Sequence, residues 1–380
     1  MKKYKYIVLV MMLSFASLLL SGCQSSRILL ILNWGEYMND DLIVEFEELY
    51  QVEVKVSIAD SNELFYSKLK SGTTAYDLIL PSDYMIEKMM NKGLLQEIQF
   101  DKLSNYNPIT NPYLQGLEKI RDSMQEGSEN YYVPYFWGTF GLMYNKRVSG
   151  LEETLRTHQW DAYFEKSLQP SGTRSGMYDV PQFAYATSMI YLNEDPNLVT
   201  DANISRAQTV LSNAGFEIWA DDQLKKDIQN DNLDLAFVWT GDFLDVFYTD
   251  LADGKAYDDI PYNIFIPDTT LAFMDAFVIP KNARHVDLAH EFINFFLDPR
   301  VAYDNASVIG YATPLQVTYD LITSYDGSIT DEDYAWKRDW ARAYLEYYED
   351  TPDFTGIPLA SLDQRTVTKL NLMVNNVKTG

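Results

Sequence analysis

Ile28-Leu29-Leu30-Ile31-Leu32-Asn33-Trp34-Gly35-Glu36-Tyr37 is the stretch on which the fold turns. Its apolar run, Ile28 to Leu32, is long enough for a parallel strand and too short for a stable helix. Asp40-Asp41 then offers a cap for a helix over 41–50. Open α/β sheets bind ligands at the carboxyl ends of their strands. Here that end carries an indole, a carboxylate and a phenol: Trp34, Glu36 and Tyr37.

The same grammar continues outward. Val52-Glu53-Val54-Lys55-Val56 alternates as a strand. Ser61 caps a helix reaching Ser71, with Leu64, Phe65 and Leu69 on one face. Tyr76-Asp77-Leu78-Ile79-Leu80 is a third strand, closed by Pro81-Ser82 and followed by a helix over 84–91. β-α-β-α-β-α is the order of a parallel sheet with covering helices. A second block begins at Tyr131-Tyr132-Val133-Pro134-Tyr135-Phe136-Trp137-Gly138, aromatic and punctuated by Pro and Gly, with a strand over 140–144. Helices are expected at 181–192, 202–213, 221–229, 285–297, 299–307, 331–348 and 363–376. Strands are expected at 233–239, 264–267 and 273–279, the first running into Thr240-Gly241-Asp242. The blocks have no long flexible linker between them, which fits lobes joined by strands around a hinged cleft.

A chain of 380 residues is too long for one ordinary core and suits two domains. Hydrophobic content of 47% and charged content of 22% fit a globular chain. The formal net charge of −25 disfavours nucleic acid as a partner and attracts cations, although it also serves solubility alone.

The single cysteine, Cys23, follows a basic start with Lys2, Lys3 and Lys5, an apolar stretch from Ile7 to Leu20, and Ser21-Gly22. This reads as a signal peptide over 1–22. Leu20-Ser21-Gly22-Cys23 resembles a bacterial lipobox, which implies acylation at Cys23 and a tether over 23–26. Cys23 has no partner for an intramolecular disulfide. The folded part is expected outside the cell, held at the membrane by lipid in the periplasmic space or its equivalent.

Catalytic and cofactor signatures are missing from the sequence. His158, His285 and His290 form no zinc motif. Neither phosphate-loop nor dinucleotide glycine patterns occur, nor a Gly-x-Ser-x-Gly elbow. With 55 acids, chance carboxylate pairs are expected, so they argue little for a glycosidase. The reading is of a non-enzyme with no cofactor and no metal.

What recurs is an aromatic beside a carboxylate or hydroxyl at strand ends. Trp34, Glu36 and Tyr37 are joined by Ser82 and Tyr84, Tyr178-Asp179, Trp239 with Asp242, Phe273-Met274-Asp275, and Tyr311. Carboxylates pair with ammonium groups, and aromatic faces attract cations and cover methylenes, so the set suits an elongated organic cation. Each aromatic alone is more often core. A carboxylate ending an apolar strand is harder to explain as core, because its unpaired burial is costly.

These same stretches carry a resemblance. Asn33-Trp34-Gly35-Glu36-Tyr37, Ser61-Asn62-Glu63, Tyr76 through Tyr84, Val133 through Gly138, Trp239-Thr240-Gly241-Asp242, Met274 through Pro280 and Ile309 through Pro314 are, in order and spacing, similar to the spermidine/putrescine-binding proteins of bacterial polyamine ABC transporters. The resemblance implies an α/β, two-lobed periplasmic-binding-protein-like fold of type II, with the ligand cleft between lobes. It places lobe one at 27–137 plus 273–317 and lobe two at 138–272 plus 318–380. It implies an aromatic and hydroxyl lining from Trp34, Tyr37, Ser82, Tyr84, Trp239, Phe273 and Tyr311. Asp179 and Asp275 become ammonium-binding carboxylates, Glu36 an acid at the cleft mouth, and Asp242 a further ammonium partner of the putrescine type. Gly35, Gln182 and Phe273 depart from the spermidine type, which leaves putrescine against spermidine open. The implied function is polyamine capture outside the cell and delivery to an ABC permease, by a monomer. The competing readings are the same fold for an oligosaccharide or ferric ion (Tyr131-Tyr132 being the candidate iron ligands), an extracellular glycan hydrolase, and an adhesin or sensing receptor.

Overall fold

The computed structural model describes residues 27–324, 335–348 and 356–380. The leader, Cys23 and its tether lie outside the described residues. The first unit is β1 (Arg27–Asn33), α1 (Asp40–Tyr50), β2 (Val52–Ile58), α2 (Asn62–Ser71), β3 (Leu78–Ile79), α3 (Asp83–Asn91), β4 (Leu95–Gln96) and α4 (Gln115–Ser123). Strand β5 (Tyr132–Asn145) leads into α5 (Leu151–His158), α6 (Trp160–Phe164), β6 (Ser175–Tyr178), α7 (Pro181–Tyr191), α8 (Asp201–Ala214), β7 (Ile218–Ala220), α9 (Gln223–Gln229), β8 (Leu235–Trp239), α10 (Thr240–Ala252) and β9 (Tyr262–Phe265). Strand β10 (Thr270–Pro280) returns the chain to α11 (Val286–Phe296), α12 (Pro299–Ile309), α13 (Gln316–Thr323), α14 (Ala335–Tyr347), β11 (Gly356–Pro358) and α15 (Gln364–Thr379).

The sheet runs β2-β1-β3-β10-β5-β8-β6-β7, with β4 and β11 beside β10 and β9 beside β5. Pairing is parallel for β1 with β2 and β3 and for β6 with β7 and β8. Strands β5 and β10 lie antiparallel at the centre. The first part of β5 pairs with β10, and the stretch from Phe140 pairs with β8. The lobe boundaries expected at 137 and 272 therefore fall inside continuous strands, while the one expected at 317 falls inside α13, which packs against α12.

Every residue of β5 and β10 is buried. Burial on both faces removes the apolar alternation that marks a strand. For that reason residues 132–138 read as an aromatic stretch rather than as half of a 14-residue strand. Pro134 is accommodated where the register slips, opposite Ala276 at the irregularity between Asp275 and Ala276. Gly138 leaves room for an aromatic ring: a Cβ there would sit 3.2 Å from the Phe273 ring.

Local departures from the expected elements have simple causes. Asn39, not Asp40-Asp41, caps α1, its Oδ1 accepting from Asp41 N at 3.0 Å. Ser61 caps α2 as expected, through Leu64 N. The strand expected at 76–80 shrinks to Leu78–Ile79. The Asp77 carboxylate instead accepts from the N–H groups of Leu30, Arg284 and His285 and meets the His285 ring. Helix α10, which the sequence reading did not expect, starts directly from β8 and packs on α14. Among the described residues no helix is long and apolar enough to cross a membrane.

Candidate functional site

In β10, Phe273 and Asp275 are two apart and so share one face of the strand. That face meets the ends of β1, β3 and β8. Asp275 is 4% exposed. Tyr37, from the turn after β1, donates its hydroxyl to Asp275 Oδ2 at 2.8 Å. Ser82, three residues beyond β3, donates to Oδ1 at 2.6 Å. Ser82 stands at the N-cap of α3, yet its side chain makes no capping bond. Asn62 holds it from both sides, through Ser82 Oγ at 2.9 Å and Ser82 N at 3.0 Å. The cap position is thus given over to the carboxylate. Burial pushes Asp275 up to about 7, against the pull of the Ser82 and Tyr37 donors. Burial and the Asp275 charge push the Tyr37 phenol well above its usual range, so Tyr37 stays a donor.

Asp242, in the first turn of α10, is the second buried carboxylate. Tyr311 donates to its Oδ1 at 3.2 Å, and Lys225 Nζ lies 3.2 Å from the same oxygen. Burial pushes Asp242 up to about 7, Asp222 and Asp245 add to this, and Lys225 opposes it.

Tyr37 and Tyr311 join the two carboxylates, and two further rings extend the edge-to-face series. Tyr37 meets Tyr311 at 5.0 Å between centroids, Tyr311 meets Phe273 at 5.9 Å, and Phe273 meets Trp239 at 4.4 Å. Tyr348, at the end of α14, adds its hydroxyl to Gly310 O at 3.1 Å. The structure therefore brings together Tyr37, Ser82, Trp239, Asp242, Phe273, Asp275 and Tyr311 out of the residues expected from sequence.

The others stand apart from this cluster or at its edge. Trp34 is half-buried, its ring tilted at 50° against Phe65 with centroids 4.8 Å apart, and its indole N–H donates to Leu80 O at 2.7 Å. Tyr84 is half-buried; burial first, then Glu63, pushes its phenol well up, with Asp83 and Asp275 adding to this. Glu36 is exposed, with φ of 48°, on a groove of 530 Å³ that also touches Asp40, Lys226 and Asp245. Asp179 is exposed and ion-paired with Lys378 at 2.6 Å, the same ammonium lying 5.6 Å from the Trp219 ring centroid. The carboxylate expected to take an ammonium thus already holds one from α15. Tyr132, one of the iron-ligand candidates, lies against Arg121 with Nε to OH at 3.4 Å.

Three residues escaped the sequence reading. Lys225 sits in a polar helix whose composition looks solvated. Tyr348 ends a helix whose cleft-facing side has no local mark. Asp83 is 3% exposed, and burial and then Asp275 push it up to about 8. The one available signal for Asp83 was its place between Ser82 and Tyr84.

Two carboxylates, buried and bridged by rings where two halves of a sheet meet, define a ligand-binding protein of the two-lobed periplasmic type. The profile of the family described as "Bacterial extracellular solute-binding protein" matches residues 41–343, and the chain belongs to that family, one of binding proteins and not of enzymes. It is similar to the putrescine-binding periplasmic protein PotF of Escherichia coli, at 26% identity over 77% of this chain and 80% of the relative. It is equally similar, at 26% identity over 83% and 89%, to the spermidine/putrescine-binding periplasmic protein of Escherichia coli. In fold it matches the spermidine/putrescine ABC transporter substrate-binding protein PotD of Streptococcus pneumoniae with a TM-score of 0.67 and 23% identity, over 93% of this chain and 99% of the other.

Proposed function

We propose that this chain captures a polyamine, putrescine or spermidine, outside the cell and hands it to the permease of an ABC transporter. The observation that carries the reading is the pair of buried carboxylates, Asp275 and Asp242, spanned by Tyr37, Tyr311, Phe273 and Trp239. A ligand ammonium compensates the burial of Asp275, whose partners are hydroxyls, and adds to what Lys225 already gives Asp242. The rings cover the methylenes between, and each cation–ring contact adds about 0.5–2 kcal/mol. Trp34, Glu36, Ser82, Tyr84 and Asp179 complete the proposed lining, with Trp34, Glu36 and Asp179 near its rim.

Lobes divided near 137 and 272 close over the amine, with Tyr311 of one meeting α10 of the other. The amine drives closure by binding the closed form better than the open one. The permease reads that closed form. Lipid on Cys23 keeps the binding protein, a monomer, close to it. The test is thermal shift of residues 24–380 with putrescine, cadaverine, spermidine and spermine against a maltodextrin control. Stabilisation by an amine and none by the sugar is the expected result.

A further inference from the structure

Lys225 projects from α9 and is only 5% exposed. Its Nζ lies 3.2 Å from Asp242 Oδ1 and 3.0 Å from Asp245 Oδ2. Tyr311 donates to the same Asp242 Oδ1. Asp242 Oδ2, also buried, has no hydrogen-bond partner among the described residues. A carboxylate whose protein donors all gather on one oxygen, with the other buried and bare, is costly unless a donor comes from elsewhere.

We propose that Lys225 is a positioning residue for the ligand: it holds Asp242 turned so that Oδ2 is left for one ammonium group of the bound amine. This rests on the polyamine reading above and deepens it. The lysine is itself an alkylammonium, and a rival expectation is that it simply fills the subsite. The geometry points the other way. Lys225 is on Oδ1, anchored also by Asp245 Oδ2, and among the described residues nothing donates to the second oxygen.

The charge around Asp242 gives the lysine its work. Facing the carboxylate are Asp222 and Lys225 from α9 and its approach, Asp245 one turn along its own helix, Tyr311 after α12, Tyr178 from β6 and Tyr348 after α14. Lys225 is the cation among three acids. Burial works against its charge, and Asp242, Asp245 and Asp222 more than offset that, so it stays an ammonium. Without it, Asp242 would hold its proton to higher pH, and a protonated carboxyl is a poor partner for an ammonium. The next residue, Lys226, lines the exposed groove instead, so neighbouring lysines have different surroundings.

The experiment is titration calorimetry with putrescine and with butylamine on wild type, K225M and K225R, between about pH 6 and 9. Putrescine engages both carboxylates, whereas butylamine can be held at Asp275 alone. The expected result for K225M is a putrescine affinity about ten- to a hundredfold lower near neutral pH, the size of one lost charged hydrogen bond. The gap should narrow toward pH 9, butylamine should change by less than about threefold, and K225R should restore most of the putrescine affinity. K225Q replaces K225M if the latter does not fold. Equal loss for both amines, or putrescine binding to K225M as tight as or tighter than to wild type, would overturn the role of Lys225. Wild type that binds neither amine would instead overturn the polyamine reading beneath it.

Discussion

The ring of Tyr311 is seated on the backbone of Gly241, so close that a Cβ added at Gly241 would stand 2.4 Å from its carbons. This contact delivers the Tyr311 hydroxyl to Asp242 and brings the residue after α12 against the first turn of α10. Gly310 reinforces it: its φ of 83° ends α12, and a Cβ there would stand 3.0 Å from Asp245 N. In G241A the ring must move. Alanine favours the helix by about 1 kcal/mol while overpacking costs about 1–3 kcal/mol, so the melting temperature should shift little. Polyamine affinity should fall about tenfold or more as Tyr311 leaves Asp242. Calorimetry beside a melting curve separates the two effects.

Asp275 accepts from Tyr37 and Ser82 and is the more deeply framed of the two carboxylates. D275A should weaken putrescine by about 2–5 kcal/mol, the loss seen when one partner of a buried charge pair is truncated. An unchanged dissociation constant would remove Asp275 from the site.

The pH response follows from the raised acids. Asp275 and Asp242 are both pushed up to about 7 from 3.8. Between those values the folded protein holds protons that the unfolded chain has released. Each group therefore makes the unliganded protein less stable as pH rises from about 4 to 7, since stability follows protons bound in the unfolded minus the folded state. Conservative D275N removes that penalty, so its melting temperature relative to wild type should climb from pH 5 to 8. Ligand binding runs oppositely: the amine needs ionised carboxylates, so the putrescine-induced shift of wild type should grow over the same interval. Melting curves across pH check both signs.

Asp179 gives a contrasting expectation. Its carboxylate is exposed and already paired with Lys378. Exposed ion pairs are worth about 0–1 kcal/mol. D179N should therefore change putrescine affinity by less than about threefold. A large loss would show that the amine displaces Lys378.

Much of this was legible in the sequence, because a site built at strand ends announces itself where an apolar run stops. Tyr37 after β1, Ser82 after β3, Trp239 at the end of β8 with Asp242 just beyond, and Asp275 in β10 could all be read that way. Tyr311 was marked by the Gly310 that ends its helix. The partners were not legible. Lys225 among Lys, Asp and Gln has the composition of a solvated helix, and only the fold brings Asp242 to it. Asp179 shows the reverse: an acid at a strand end looks available until the far carboxyl-terminal helix supplies its cation. Strand β5 was half-hidden because a strand buried on both faces has no alternation to read.

Titration calorimetry of the chain from residue 24 with putrescine, cadaverine, spermidine and spermine tests polyamine capture most directly. The expected result is saturable binding of one amine per chain, lost in D275A. Absence of binding by every amine, with a sugar or ferric ion binding in their place, would contradict it.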